Sequence, residues 1–279
     1  MKKLKAGSEE RVFKTRDGIS ITANYYPASS PTLKKGGKGG FSRSAFVGEK
    51  YASSLIILAP GFAKYKDAYP MTEMCEDLTH WGDVLCLDFR GVGKSGGRYT
   101  FGAEEYLDLE PLLRWGKKNY KQTVLLGLSL GSYHSLRAAH AWPRLVDKLL
   151  LVSCPSSLED ILLTWGPIRQ SLAIATDWKA LRKRLSIEFN LFFKWGNPLS
   201  AKPNAAHLAG GLKMPTAFLV GGKDRLVVKS LSRKVFEKVS APKSWVEIPK
   251  GNHAEFLYLE NPVEFGRWLQ HQLKKRIAA

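Results

Sequence analysis

The sequence lacks the features of a membrane-spanning or exported protein. No apolar run reaches the roughly 20 residues that a transmembrane helix requires. The basic N-terminus, MKKLKAGSEERVF, is not followed by the apolar segment of a secretory signal peptide. The 3 cysteines, Cys75, Cys86 and Cys154, have neither zinc-site nor Cys-x-x-Cys spacing. We therefore expect a reduced, cytoplasmic protein in which Cys86 and Cys154 are small core residues.

Acidic residues are few relative to basic ones. The chain has 43 Lys and Arg against 25 Asp and Glu, which gives a net charge of +18. Such a charge can attract polyanions, but no nucleic-acid-binding motif accompanies it. We interpret it as general surface basicity, with no specific nucleic-acid partner and only weak association with anionic surfaces or membranes. No histidine pair has metal-ligand spacing, so neither a metal nor another cofactor is predicted.

Short apolar runs alternate with segments of helical periodicity along most of the chain. Such short, mainly apolar runs are typical of strands in a parallel sheet that is buried on both faces, and residues 55–60 are wholly apolar. These runs are residues 55–60, 83–89, 123–128, 148–154, 216–222 and 244–249. Residues 11–27, around Asp17-Gly18, predict an antiparallel hairpin at the edge of the sheet. The pattern predicts an α/β fold with a mostly parallel sheet and helices on both faces.

Two segments interrupt this alternation. Residues 28–54 are rich in Gly, Ser and Lys, and they predict a flexible excursion. Residues 156–210 mix apolar and basic residues at helical spacing, which predicts an inserted helical lid above the sheet. The predicted core is therefore residues 1–155 and 211–279.

The predicted lid contains an aromatic cluster. Its aromatic members are Phe189, Phe192, Phe193 and Trp195. These side chains either line an acyl or aromatic substrate pocket or form the lid's own core. The sequence favours the two interpretations equally.

The run at 123–128 ends in Gly127-Leu128-Ser129-Leu130-Gly131 and continues as a predicted helix. The order strand, Gly-x-Ser-x-Gly, helix presents a serine hydroxyl on a sharp turn. Glycines are needed there because the turn brings its flanking backbone segments into close contact. Ser129 is therefore a candidate nucleophile.

A serine nucleophile needs a base, and the base needs a carboxylate that orients it. Asp224 follows the apolar run 216–222, and His253 follows the run 244–249. The carboxyl ends of parallel strands share one edge of a sheet, so both side chains should lie near Ser129. Asp224 could simply be a helix N-cap, a role expected of it whether or not it is catalytic, and His253 could be a surface residue. Their order, serine then acid then histidine, favours the catalytic interpretation.

With these motifs the chain resembles the α/β-hydrolases. Within that superfamily it is similar to the group of serine aminopeptidases, monoacylglycerol-lipase-like proteins and carboxylesterases. The matching motifs are Pro60-Gly61-Phe62, DFRGVGKS at 88–95, GLSLG at 127–131, GGKDRLV at 221–227 and GNHAEF at 251–256. Many relatives have His-Gly in place of Pro60-Gly61.

The resemblance implies Ser129 as nucleophile, His253 as base and Asp224 as the acid that orients it. It also implies an oxyanion hole made by the backbone N–H groups of Phe62 and Leu130.

Residues 91–96 also match the Gly-x-Gly-x-x-Gly fingerprint of dinucleotide-binding proteins. That fingerprint should open directly into a helix, but here the helical pattern begins near Ala103. A phosphate-binding P-loop would need glycine at position 88, which is Asp88. We interpret the segment as a hydrolase turn.

The sequence thus predicts a serine hydrolase that cleaves a small carboxylic ester or thioester through an acyl-enzyme. An acyltransferase or an aminopeptidase would use the same three residues. An aminopeptidase also needs an acidic patch for the substrate amine, for which Glu159, Asp160 and Glu188 are candidates. A non-catalytic ligand-binding protein on this fold is the remaining alternative. The sequence does not predict an oligomeric state.

Overall fold

The structure of the protein, a computed structural model, describes residues 8–28, 54–62, 64–163, 194–197, 200 and 202–274. In these residues eight strands form a single sheet. The strands are β1 (Glu9–Lys14), β2 (Ser20–Tyr26), β3 (Ser54–Ala59), β4 (Asp83–Leu87), β5 (Gln122–Leu128), β6 (Lys148–Val152), β7 (Thr216–Gly221) and β8 (Lys243–Ile248).

The strand order is β1-β2-β4-β3-β5-β6-β7-β8. Strands β3 to β8 run parallel to their neighbours, whereas β2 is antiparallel to both β1 and β4. The β1–β2 turn contains Gly18 at φ 83°, a conformation that glycine adopts readily. The predicted mostly parallel sheet with an antiparallel N-terminal hairpin is therefore confirmed.

Eight helices connect the strands within the described part of the chain. They are α1 (Met71–Leu78), α2 (Tyr106–Asn119), α3 (Leu130–Ala141), α4 (Leu158–Leu163), α5 (Ala205–Ala209), α6 (Lys229–Lys238), α7 (Glu255–Glu260) and α8 (Pro262–Lys274). None of them is long and apolar enough to cross a membrane.

The central strands are apolar beyond their first one or two residues because both faces of the sheet are covered. Leu55 and Ile57 of β3 face a core built with α2, α3, α5 and α6. Ile56 and Leu58 face the opposite core, which includes α1, α7 and α8. Successive side chains of a strand point to opposite faces, so a strand between two cores needs no polar residue. All three cysteines are buried and unbridged, as expected of core residues.

Several sequence predictions lie outside the described residues. Of the excursion predicted at 28–54, residues 29–53 are not described. Of the lid predicted at 156–210, residues 164–193, 198, 199 and 201 are not described. Phe189, Phe192 and Phe193 belong to that second segment. The described end of the segment, residues 194–197, lies beside Tyr99, whose N–H donates to the Lys194 carbonyl at 2.7 Å.

Candidate active site

Ser129 lies between β5 and α3 in a strained conformation, with φ 51° and ψ −121°. A positive φ is unfavourable for a residue with a side chain, and such residues cluster at active sites. The Ser129 N–H donates to the Val152 carbonyl at 2.9 Å, which ties the turn to β6. The turn therefore holds the serine in one orientation.

The glycines beside Ser129 are required by close backbone contacts. A Cβ atom at Gly127 would lie 2.5 Å from Ser132 Cα, and one at Gly131 would lie 2.2 Å from the Ala59 carbonyl oxygen. Both distances are too short for any side chain. The physical reason expected for the Gly-x-Ser-x-Gly pattern is thus present in the structure.

The structure brings the three predicted side chains together. His253 Nε2 lies 2.7 Å from Ser129 Oγ, and His253 Nδ1 lies 2.8 Å from Asp224 Oδ2. All three residues are buried, with exposed fractions of 6–8%. A hydrogen-bonded chain from carboxylate through imidazole to hydroxyl can activate the hydroxyl for nucleophilic attack.

Asp224 is not the helix N-cap that the sequence allowed as an alternative. Its Oδ1 accepts the N–H groups of Leu226 and Val227, each at 2.9 Å, whereas α6 begins at Lys229. Those two bonds hold the β7–α6 loop in place and fix the carboxylate that faces His253.

Ser153 connects the histidine loop to the sheet, and the sequence did not indicate this role. It follows β6 with φ 50°, and its Oγ accepts the N–H of Ala254 at 3.1 Å. Ala254, next to His253, also has a positive φ of 37°. Two residues with positive φ, Ser153 and Ala254, are thus in contact next to His253. No short motif reveals such a contact, because it joins segments 101 residues apart.

The predicted oxyanion loop lies against the nucleophile. A Cβ atom at Gly61 would be 3.3 Å from Ser129 Cβ, so the loop before Phe62 contacts the serine. Leu130 is the first residue of α3, and an N–H in the first turn has no acceptor within its own helix. The positive end of the helix dipole also favours negative charge there. These positions are compatible with an oxyanion hole.

A second residue not singled out from the sequence is Glu255, two positions after His253. It is the first residue of α7 and is only 6% exposed. Its Oε1 lies 2.9 Å from the point where a Cβ on Gly61 would stand. The only sequence signal is an acidic residue in the GNHAEF segment directly after the histidine.

An aromatic cluster borders the oxyanion loop. Phe62 contacts Tyr99 and Phe101, with ring centroids 5.8 and 6.2 Å apart, and Phe101 contacts Trp195 at 5.0 Å. Phe62 and Trp195 are 44% and 58% exposed. Of the four predicted pocket residues, Trp195 is therefore near the site, and the other three lie outside the described residues.

The glycine-rich turn after β4 closes on its own carboxylate. Asp88 accepts the N–H groups of Lys66 at 2.7 Å and Lys94 at 2.9 Å. A Cβ at Gly93 would lie 2.2 Å from Asp88 Oδ2, and the next helix begins only at Tyr106. These backbone N–H groups already donate to a carboxylate and are not available to a phosphate. The structure therefore agrees with a hydrolase turn rather than a nucleotide site.

Buried charges around this turn are paired. Lys66 Nζ lies within 3.6 Å of Asp88, and burial raises the pKa of the Asp88 carboxyl although Lys66 opposes that rise. The guanidinium of Arg90 binds Asp17, Glu104 and the fully buried Asp108. The turn is therefore a closed electrostatic network.

The chain belongs to the alpha/beta hydrolase family, whose model matches residues 56–268. The expected relationship to the α/β-hydrolases is thereby confirmed. None of the curated proteins compared with the chain matches it significantly.

Solved structures share the fold at low sequence identity. The esterase Pf2001 of Pyrococcus furiosus is 20% identical with a TM-score of 0.67, and the match covers 95% of this chain and 93% of that one. The alpha/beta hydrolase GrgF of Penicillium sp. sh18 is 19% identical with a TM-score of 0.66, covering 96% and 99%. XC6422 of Xanthomonas campestris, described as a serine hydrolase without lid, is 16% identical with a TM-score of 0.60, covering 98% of each chain.

Proposed function

We propose that the protein is a serine hydrolase that cleaves carboxylic esters or thioesters through an acyl-enzyme. The observation that carries this proposal is the hydrogen-bonded chain from Asp224 through His253 to Ser129. Membership of the alpha/beta hydrolase family and the esterase among the similar structures support it.

In the proposed reaction, Ser129 Oγ attacks the substrate carbonyl while His253 takes the hydroxyl proton. Asp224 stabilises the imidazolium, and the N–H groups of Phe62 and Leu130 stabilise the oxyanion. His253 then returns the proton to the leaving alcohol or thiol, which leaves the acyl group on Ser129. A water molecule activated by His253 releases the acid and restores the serine.

The hydroxyls of Ser132 and Ser153, two other serines near the site, are hydrogen-bonded to backbone groups. Ser132 Oγ lies 2.6 Å from the Gly127 carbonyl oxygen and accepts the Val152 N–H at 3.1 Å. Ser153 Oγ accepts the Ala254 N–H. Within the described residues, Ser129 is the serine whose hydroxyl is hydrogen-bonded to a histidine. A non-catalytic ligand-binding protein would not need a hydrogen-bonded chain from carboxylate through imidazole to hydroxyl. This arrangement therefore disfavours that alternative.

The proposal is tested by comparing Ser129→Ala with the wild type on nitrophenyl esters of graded acyl chain length. We expect the variant to lose at least about 10⁴-fold in kcat/KM. Ser135→Ala is a matched control, because Ser135 is a buried serine of α3 whose hydroxyl has no partner in the described part of the chain. Wild-type activity in Ser129→Ala would sink the proposal, and the chain-length profile would define the acyl group.

A further inference from the structure

Glu255 is a buried carboxylate beside the nucleophile that the proposed reaction does not use. Gly61 lies against both residues, since a Cβ atom on Gly61 would stand 2.9 Å from Glu255 Oε1 and 3.3 Å from Ser129 Cβ. The carboxylate therefore lies in the immediate surroundings of the nucleophile.

Glu255 differs from the other buried carboxylates of the protein. Six carboxylate side chains are buried in the described part of the chain: Asp88, Glu105, Asp108, Glu110, Asp224 and Glu255. Five of them accept hydrogen bonds from donors of the protein itself. Glu105, for example, accepts the Gly102 N–H at 2.7 Å and the Thr100 hydroxyl at 3.0 Å. No donor among the described residues is hydrogen-bonded to Glu255.

Because no donor among the described residues is hydrogen-bonded to the Glu255 carboxylate, both of its oxygens can accept hydrogen bonds from a bound group. The start of α7 favours negative charge to a small extent. A carboxylate without a cationic partner next to the oxyanion loop opposes the negative charge that develops on the substrate oxygen. This repulsion falls when a positively charged group of the substrate binds Glu255.

We propose that Glu255 binds the protonated amine of the substrate, so that the preferred acyl group is an α-aminoacyl group. This inference rests on the proposed serine hydrolase function and names its substrate class. An amine on the carbon next to the carbonyl fits the short distance between Glu255 and the nucleophile. An ammonium group also supplies the N–H donors that Glu255 lacks.

The acidic residues that the sequence offered for this role are less suitable. Asp160 is held by the Ser156 hydroxyl at 2.5 Å and lies 3.7 Å from Lys234 Nζ. Glu159 is exposed on α4, and Glu188 lies outside the described residues. Glu255 is the carboxylate that adjoins both the oxyanion loop and the nucleophile.

The test compares two ethyl esters that differ only in the amine, those of leucine and of 4-methylpentanoic acid. Hydrolysis is followed at constant pH, below the pKa of the α-amino group, so that the amine is protonated. A hydrogen bond to a charged group predicts a wild-type kcat/KM roughly ten- to a hundredfold higher for the leucine ester. In Glu255→Gln this ratio should fall to about one, and Glu255→Asp should retain part of it.

Glu264→Gln is the matched control, because Glu264 is an exposed glutamate on α8, and it should keep the wild-type ratio. A ratio of about one in the wild type, or an unchanged ratio in Glu255→Gln, overturns the amine site. If the neutral ester is hydrolysed and this activity is lost in Ser129→Ala, the proposed hydrolase function stands without the amine site. If neither ester is hydrolysed and no serine-directed probe reacts, both proposals fail.

Discussion

Two glycine-rich turns follow strands of the same sheet, one after β4 and one after β5, and they use their polar groups differently. The turn after β4 folds around Asp88, which accepts backbone N–H groups and faces Lys66. The turn after β5 presents Ser129 to His253, with no charged partner of its own inside the turn. Glycine permits close contact in both turns, with the Asp88 carboxylate at Gly93 and with backbone carbonyl groups at Gly131.

The difference shows that glycine spacing alone does not identify a functional loop. The two turns differ in whether their polar groups are already hydrogen-bonded or ion-paired within the turn and its immediate surroundings. The β4 turn is closed by buried ion pairs, which fits a structural role. At the β5 turn, a strained serine reaches a histidine on another loop, which fits a chemical role.

The largest effect is expected when the hydrogen-bonded chain is broken at its carboxylate. Asp224→Asn should lower kcat about 10⁴-fold, because an amide does not stabilise the imidazolium or select the reactive tautomer. Oδ1 can still accept the two loop N–H groups, so the folded structure should persist. Ester kinetics combined with circular dichroism would check this. Near wild-type kcat in the variant would remove Asp224 from the mechanism.

The opposite result is expected at the β4 turn. Asp108→Ala leaves the buried guanidinium of Arg90 without its fully buried partner and should lower the free energy of unfolding by about 3–5 kcal/mol. Urea denaturation would measure the loss, and the activity per folded molecule should stay within a few-fold of wild type. A large loss of kcat with normal stability would contradict the distinction between the two turns.

Gly93→Ala tests the steric part of the comparison. The alanine would have to adopt a φ of 55°, and its Cβ would clash with Asp88 Oδ2. We therefore expect the unfolding free energy to fall by about 1–3 kcal/mol. Gly96→Ala is the control, since a Cβ there meets no atom closer than 3.5 Å. Equal stability of the two variants in thermal denaturation would show that the β4 turn adapts to a side chain.

Ser153→Ala should act on the histidine loop rather than on overall stability. Without the Ser153 hydroxyl, the Ala254 N–H loses its acceptor and His253 becomes less well positioned. A lost hydrogen bond of this kind predicts a roughly tenfold lower kcat with little change in KM. Restoration of most activity in Ser153→Thr, but not in Ser153→Ala, would separate positioning from general destabilisation. Unchanged kcat in Ser153→Ala would disprove the positioning role.

The smallest effect concerns His134, which is buried on α3 with both ring nitrogens unpartnered in the described part of the chain. Burial lowers its pKa well below the usual value, with Arg137 and Arg90 adding to the shift. The imidazole is therefore neutral when the protein is folded. On unfolding it takes up a proton below about pH 6.5, so it destabilises the protein progressively as pH falls through that value.

His134→Phe removes both the unpartnered nitrogens and this proton uptake. It should raise the unfolding free energy by about 1 kcal/mol at neutral pH. The gain over wild type should be larger at pH 5.5 than at pH 8. Melting temperatures at the two pH values would check this, and a gain independent of pH would contradict a neutral buried imidazole.

The parts of the site that follow single strands could be predicted from the sequence. Ser129, Asp224 and His253 each follow an apolar run, and parallel strands bring such positions to one edge of the sheet. Ser153 and Glu255 could not be predicted, because their roles depend on contacts between distant loops. The short helices α5 and α7, of 5 and 6 residues, were also missed, since they are too short to show a clear apolar period.

The central claim is that Ser129 is the nucleophile of this hydrolase, and fluorophosphonate labelling followed by peptide mass spectrometry tests it most directly. Trypsin should release residues 122–137, which contain Ser129 together with Ser132 and Ser135. We predict a single adduct on Ser129, absent in Ser129→Ala and strongly reduced in His253→Ala. An unlabelled protein, or an adduct on another residue that persists in Ser129→Ala, would contradict the account.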